Sequence, residues 1–509
     1  MRIPAEQREA AAFLAHLTGA AAPIETHISA VFVGPRDAYK LKKAVALGFL
    51  DFSTLAARER FARRELALNA PHAPALYRDV LPLRRGADGA LRLGGEDGAV
   101  VDWVLRMAPI PAADFLDAVA ARGALTPALL DATADAVAAM HAALPPVTGF
   151  DAPAAMRRVL AGNLDAARAA GLPAARIAAL GAAAAASIEG VAPKLAARAA
   201  EGRVRRCHGD LHLGNLCLIE GRPTPFDALE FDEALATIDT GYDLAFLLMD
   251  LEHLVGRAAA NRVLNRTVAR TGDAGLTAAL PPWLALRALI RAHVEARRGQ
   301  GVCGTPGDAA ADPRHDALAY LSRAEEFLAP APARVVAIGG LQGTGKSTLA
   351  RALAPGIGAA PGALVLRSDE IRKRRHGAAP EDRLPPEAYG AAASAGVFAE
   401  LFALAAGVAR GGHAVIADAA FLDAGDRAGI AAAAAAAGVP FTGVWLTAPL
   451  DVLRARVAAR RDDASDATVA VLEAAAAAHA EAPPPAGWVV LDAAGDPLPA
   501  AQAALARGG

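Results

Sequence analysis

Two stretches of this chain carry residues whose types and spacing suit one chemistry. The first is His208-Gly209-Asp210 followed by Asn215, the pattern H-G-D-x-x-x-x-N, with Pro225-Phe226-Asp227 downstream. Moving a phosphoryl group needs little covalent help. It needs a carboxylate to orient and deprotonate an acceptor hydroxyl, and oxygen ligands that hold Mg²⁺ on the phosphates. Asp210 suits the first task. Asn215 and Asp227 suit the second, because Mg²⁺ takes hard oxygen ligands and keeps some of its waters. The second stretch, residues 340–347, satisfies G-x-x-x-x-G-K-[ST]. Gly340, Gly343 and Gly345 let backbone N–H groups wrap phosphates at a helix N-terminus. Thr344 and Thr348 belong to the same cradle, Lys346 would bridge the β- and γ-phosphates, and Ser347 would ligate Mg²⁺.

Each motif needs particular elements around it. Val204-Arg205-Arg206 reads as a short strand into the first loop, and Leu216-Cys217-Leu218-Ile219 as an apolar strand out of it. Residues 334–338 form an apolar, β-branched run before the glycine loop, and 346–350 read as the helix after it. Upstream, residues 26–33 and 37–43 read as two strands around a Gly-Pro-Arg turn. Residues 55–69 read as a helix, with Ser53 as its expected N-cap. Residues 112–143 and 153–200 are helical by composition and spacing, and Pro153 suits a first turn. A proline-alanine linker at 328–333 separates the two halves.

The first half resembles the aminoglycoside phosphotransferase family, whose catalytic loop reads H-G-D-x-x-x-x-N where protein kinases have H-R-D-x-x-x-x-N. The resemblance implies an α+β protein-kinase-like domain over 1–330, with an N-lobe to about 107 and a helical C-lobe from about 108 to 328. Asp210 would be the catalytic base, with Asn215 and Asp227 on the metal. In such an N-lobe a strand lysine holds the nucleotide phosphates and pairs with a helix glutamate. Lys40 is the first choice and Lys42 the second, since the two share a strand face. Glu65 is the first choice of partner and Glu59 the second. No G-x-G-x-x-G precedes the lysine strand, as is often so among these phosphotransferases. Residues 100–107 would be the last N-lobe strand, leading to the hinge. The run Asp243-Leu244-Ala245-Phe246-Leu247 resembles a helix start whose Asp braces the catalytic loop. Glu230 could meet the metal through water, cap a helix or form a salt bridge, and His212 reads as loop scaffolding.

The second half, 334–509, resembles small P-loop kinases such as gluconate kinases, zeta toxins and polynucleotide 5′-hydroxyl kinases. The resemblance implies an α/β domain with a parallel sheet. Ser368-Asp369-Glu370-Ile371-Arg372 follows the second strand, and Asp369 matches the position that takes the acceptor's proton in several of these enzymes. Arg372 would meet the substrate. The basic run 372–375 reads equally as a solvated helix face. Asp418 ends a third strand where an acid would hold the metal's water shell. Arg456 and Arg460 lie one turn apart on an arginine-rich segment resembling the lid helix of these kinases.

The whole chain is similar to bacterial bifunctional proteins that join a phosphotransferase-like half to an ATP-binding half. That implies a kinase with two nucleotide sites, using ATP and Mg²⁺ to phosphorylate hydroxyl groups of small molecules. A kinase acting on RNA 5′-hydroxyl ends or nucleotide-sugars, or a nucleotide-sensing regulatory module, is the alternative for one domain. RNA is the less favoured partner. A polycationic acceptor would want acidic neighbours, and Asp232, Glu233, Asp239, Asp250 and Glu252 follow the metal loop.

The bulk composition fits this reading. The 509 residues suffice for two or three domains, 54% are hydrophobic, and the formal net charge is -2. The three cysteines form no C-x-x-C, so neither a disulfide framework nor a zinc site is indicated. The first residues carry Glu6, Arg8 and Glu9 rather than a signal-peptide pattern. No apolar run is expected to reach the ~18 residues of a membrane span. A cytoplasmic protein with no membrane partner is the expectation.

Overall fold

The computed structural model describes residues 2–47, 50–299, 313–459, 464–479 and 484–507. The chain forms two compact units, Met1–Val255 with Pro282–Leu328, and Gly256–Pro281 with Ala329–Gly509. Residues 256–281 therefore leave the sequence of the first unit and pack with the second, which nothing in the sequence pattern signalled.

The first unit begins with a six-stranded antiparallel sheet. Its spatial order is Ile24–Glu25, Ser29–Val33, Ala38–Lys42, Ala99–Met107, Tyr77–Arg85, Leu91–Leu93. Each face of the sheet carries an apolar cluster, and strand alternation assigns side chains to them. Tyr39 and Leu41 join Leu14, Phe32 and Val104 beneath the helix Arg8–Thr18. Ala38 points the other way, among Ala62, Leu76, Val80 and Leu105, where the helix Leu55–Asn69 packs. Lys40 and Lys42 share the Ala38 face, so both lysines are delivered toward that helix. Its N-cap is Thr54, whose hydroxyl accepts from Ala57 N–H at 3.2 Å, rather than Ser53. Ser53 instead donates to Asp51.

The rest of the first unit is helical, with a small β core around the H-G-D loop. Val204–Arg206 pairs antiparallel with Thr237–Asp239, and Leu216–Ile219 with Arg222–Pro225. The helix Thr240–Leu254 runs through the middle and is buried from Gly241 to Glu252. Asp151 caps the helix Ala152–Ala169, with Pro153 in its first turn.

The second unit is built on five parallel strands in the order Leu364–Arg367, Val415–Asp418, Val335–Gly340, Phe441–Thr447, Val489–Asp492. The three strands from Val335, Leu364 and Val415 are buried at every residue, hence their apolar sequences up to the terminal Arg367 and Asp418 of the second and third. Ligands of such sheets gather beyond the carboxyl ends of the strands, where the glycine loop, Asp369 and Asp418 all lie.

Two helices, Ala174–Ala200 and Ala391–Arg410, are long and apolar enough to cross a membrane, contrary to the sequence expectation. Their alanines supply the hydropathy. The first packs on Ala152–Ala169 and the second on the parallel sheet and its neighbouring helices.

Buried histidine gives the second unit a pH response. His413 Nε2 donates to Gly362 O at 2.9 Å, which leaves Nδ1 unprotonated, buried and without a hydrogen-bond partner among the described residues. Burial pushes its pKa from 6.5 down to about 4. The unfolded chain therefore binds the proton first, so stability is full above about pH 6.5 and drains as pH falls toward 4. The loss is expected to reach about 3 kcal/mol. Denaturation of the second unit at pH 7 and pH 4.5 checks this, and His413→Asn should flatten the difference.

Candidate active sites

In the first unit the H-G-D loop is held by buried carboxylates, chiefly Asp243. Asp243 Oδ1 accepts Gly209 N–H at 2.9 Å and Oδ2 accepts His208 N–H at 3.2 Å. His141 Nε2 donates to the same Oδ2 at 2.9 Å. Arg287 donates to Gly209 O, and Asp250 accepts Leu213 N–H at 3.0 Å. His208 Nε2 donates to Phe226 O at 2.8 Å, tying the H-G-D loop to the loop that carries Asp227. The Asp210 carboxylate is thereby presented to the cleft. Asn215 Nδ2 donates to Asp210 O at 2.8 Å and to Oδ2 at 3.0 Å. His212 Nε2 lies 3.6 Å from the same oxygen, so the residue read as scaffolding stands beside the candidate base. Burial pushes the Asp210 carboxyl up, but the His212 ring, with His208 and Arg287 behind, outweighs it and holds the group well below the ordinary carboxylate range.

Across the cleft both candidate lysines meet one glutamate. Lys40 Nζ donates to Glu65 Oε1 and Lys42 Nζ to Glu65 Oε2, each at 2.7 Å. Lys40 continues to Asp227 Oδ1 at 2.6 Å, and Lys42 to Glu230. Glu230 is thus a salt-bridge partner of Lys42. Among the described residues, Glu59 pairs only with Arg63 on the surface of the same helix. Lys40 lines the cleft, whereas Lys42 is buried beneath it. Asp227 has φ +61°, unusual for a residue other than glycine. Its neighbours hold that conformation: Asp227 N–H donates to the Tyr77 hydroxyl at 3.0 Å, and Ala228 N–H to Asn69 Oδ1 at 2.9 Å. Tyr77 and Asn69 carried no motif and were missed. Lys40, Asp210, Asn215 and Asp227 line one cleft of about 2550 Å³.

In the second unit the glycine loop leaves the central strand with three left-handed residues, Gly340, Gly343 and Gly345. A Cβ at Gly340 would come within 2.5 Å of Leu446 O, and one at Gly343 within 2.8 Å of Leu453 O. Only glycine fits this cradle. Lys346 Nζ donates to Gly340 O at 2.9 Å and Leu341 O at 3.0 Å. Ser347 Oγ donates to Asp418 Oδ2 at 2.6 Å, and Arg367 Nε lies 3.3 Å from that oxygen. Gly343, Thr344, Gly345, Lys346, Ser347, Thr348, Asp369, Asp418 and Arg456 line one cleft of about 1050 Å³. Burial pushes the Asp369 carboxyl upward, partly offset by Arg367, so the two candidate bases are tuned in opposite directions.

The basic run divides. Arg372 is buried, lines the cleft, stacks over Tyr389 and donates to Ala388 O at 2.6 Å. Lys373 is buried on Asp466, and Arg374 and Arg375 pair with Glu400. Arg456 donates to Ala493 O at 2.8 Å and Ala494 O at 3.2 Å. Arg460 lies outside the described residues.

Both sites fit a divalent cation by the chemistry of their donors. The Oδ1 of Asn215 with the Asp227 carboxylate, and the Ser347 hydroxyl with the Asp418 carboxylate, are hard oxygen donors. When bound, Mg²⁺ would neutralise charge on the phosphates.

A model of the phosphotransferase enzyme family matches residues 4–286, and one of an AAA domain matches 335–483. An uncharacterised protein of Mycobacterium tuberculosis is 30% identical over 467 residues, covering 90% of each chain. Among solved structures, a gluconokinase from Sinorhizobium meliloti aligns at 20% identity and TM-score 0.25, over 35% of this chain and 94% of its own. A choline/ethanolamine kinase family protein from Mesorhizobium loti aligns at 14% identity and TM-score 0.36, over 64% of this chain and 95% of its own. With more than half of its length inside that family model, the chain belongs to the phosphotransferase enzyme family and is a kinase.

Proposed function

We propose that each unit is an ATP- and Mg²⁺-dependent phosphotransferase acting on the hydroxyl group of a small molecule, which makes the chain bifunctional. The observation that carries the reading is the composition of the two clefts. Each is lined by a lysine, a pair of side chains with oxygen donors and a further carboxylate: Lys40, Asn215, Asp227 and Asp210 in one, Lys346, Ser347, Asp418 and Asp369 in the other. In the first unit Asp210 orients the acceptor hydroxyl and takes its proton while Lys40 steadies the phosphates. In the second, Asp369 has that role, Lys346 steadies the phosphates, and the glycine cradle brings backbone N–H groups to them.

A polycationic acceptor is the poorer fit for the first site. Asp232 caps the helix Glu233–Ala236, Glu233 pairs with Arg64 and Arg206, and Asp239 is held by Arg198. Asp250 holds the loop, and Glu252 is buried. These acids serve the fold. RNA is the poorer fit for the second, because Lys373, Arg374 and Arg375 are occupied by protein carboxylates. The buried free thiols Cys207 and Cys217 favour a cytoplasmic setting.

The test incubates the protein with γ-labelled ATP, Mg²⁺ and a deproteinised cell extract, with metabolites separated from RNA. Label is expected in two small-molecule products, one lost in Asp210→Asn and the other in Lys346→Ala. No transfer to any fraction, with ATP bound at both sites, overturns the reading.

A further inference from the structure

The parallel sheet of the second unit ends on the strand Leu364–Arg367, which among the described residues has a strand neighbour on one side only. An edge strand leaves every second N–H and C=O unpaired on its open side. Leu364 N–H turns inward, donating to Ala414 O at 2.9 Å, so Val365 N–H and Ala363 C=O turn outward. Both meet one side chain. Val365 N–H donates to Asn265 Oδ1 at 2.6 Å, and Asn265 Nδ2 donates to Ala363 O at 3.3 Å. Asn261 Nδ2 reinforces the second contact at 3.1 Å. A neighbouring parallel strand would satisfy that same pair of groups with the C=O and N–H of one residue. The amide of Asn265 stands in for that residue, on the helix Arg257–Thr271.

The same helix also holds chain beyond Asp369. Glu381 accepts Arg266 Nη2 at 2.6 Å and Arg270 Nη1 at 2.9 Å. Shortly after Glu381 come Ala388, whose carbonyl accepts from Arg372, and Tyr389, which lines the cleft. One helix therefore braces the strand before Asp369 and the segment that follows the helix Ser368–Arg375. That bracing helix lies inside the stretch 4–286 matched by the phosphotransferase family, not in the part matched as an AAA domain.

We propose that the helix Arg257–Thr271 is a working part of the P-loop site, with Asn265 a positioning residue that sets the strand delivering Asp369. The inference rests on the P-loop cleft being a transfer site. Lys346 and Ser347 follow the central strand, and Asp369 follows the edge strand. Loosening the edge should therefore misplace the base and spare nucleotide binding.

The test is Asn265→Leu in the full-length chain, close in size but without the amide. Hydrogen exchange over 363–367 is expected to accelerate. Lys346-dependent turnover is expected to fall tenfold or more, since small misplacements of reacting groups cost about that much. Affinity of the P-loop site for a non-hydrolysable ATP analogue should stay within twofold. Turnover and affinity falling together would mean general damage and overturn the positioning role. Unchanged exchange, or faster exchange with wild-type turnover, would overturn it as well. A wild-type protein without any Lys346-dependent transfer sinks the transfer reading instead, and the exchange comparison then decides whether Asn265 closes the edge.

Discussion

Asp210→Asn is expected to lower phosphoryl transfer at the first site by about three orders of magnitude, with nucleotide affinity nearly unchanged. General-base assistance contributes roughly 10²–10⁴ in rate. The substitution keeps the size of the side chain and its oxygen acceptor for Asn215 Nδ2, now 3.0 Å from the carboxylate. It removes the charge and the capacity to take a proton, and turns one acceptor oxygen into an NH2 donor. The His212 ring and the charges behind it hold Asp210 ionised, so in the native chain it acts as an acceptor throughout the physiological range. Single-turnover transfer and equilibrium binding of an ATP analogue, measured on the same variant, separate the two effects. A loss of under tenfold would remove Asp210 from the role of base. Asp243→Ala makes the useful contrast. It strips the acceptor from Gly209 N–H, His208 N–H and His141 together, and is expected to damage the folding of the loop itself.

The parts of this protein that sequence made legible are those that chemistry makes local. A catalytic loop must put Asp210 and Asn215 five residues apart, and a phosphate cradle must put glycines where no Cβ fits, so both were readable. The Lys40–Glu65 pair was readable because strand and helix order constrain it, yet Lys42 looked like a competitor. Alternation puts the two lysines on one face, and Glu65 has two oxygens, so the structure uses both. Tyr77 and Asn69 were not readable, since their hydrogen bonds to residues 227 and 228 span about 150 positions and leave no spacing to recognise. Alanine obscured the rest. It fits either face of a helix, so the helical region offered no sign that residues 256–281 leave one unit for the other. Asn261 and Asn265 on that helix look like ordinary polar positions until the open strand edge is seen beside them.

The shared glutamate makes the two lysines separable by experiment. Lys40→Met is expected to abolish first-site transfer, by at least a hundredfold, in a folded protein. Lys42→Met is expected to destabilise the first unit by about 3–5 kcal/mol. The asymmetry lies in what each lysine leaves behind. Without Lys40, Glu65 keeps its bond to Lys42, and Asp227, whose side chain is 40% exposed, can be hydrated. The fold survives, but the cleft loses the ammonium proposed to meet the phosphates. Without Lys42, Glu230 loses its only ion-pair partner among the described residues, and its side chain is 5% exposed. Breaking one side of a buried pair costs about 3–5 kcal/mol because a charge is left uncompensated. That is a large part of the ~5–15 kcal/mol that holds a typical domain together. Chemical denaturation followed by hydrogen exchange in the two units measures both outcomes, with the second unit as an internal reference. Equal stability of the two variants would show that Glu230 finds water or another donor once Lys42 is gone. The double variant Lys42→Met with Glu230→Met then decides the cause. Removing both partners of this pair is expected to recover much of the lost stability, since apolar replacements no longer strand a charge.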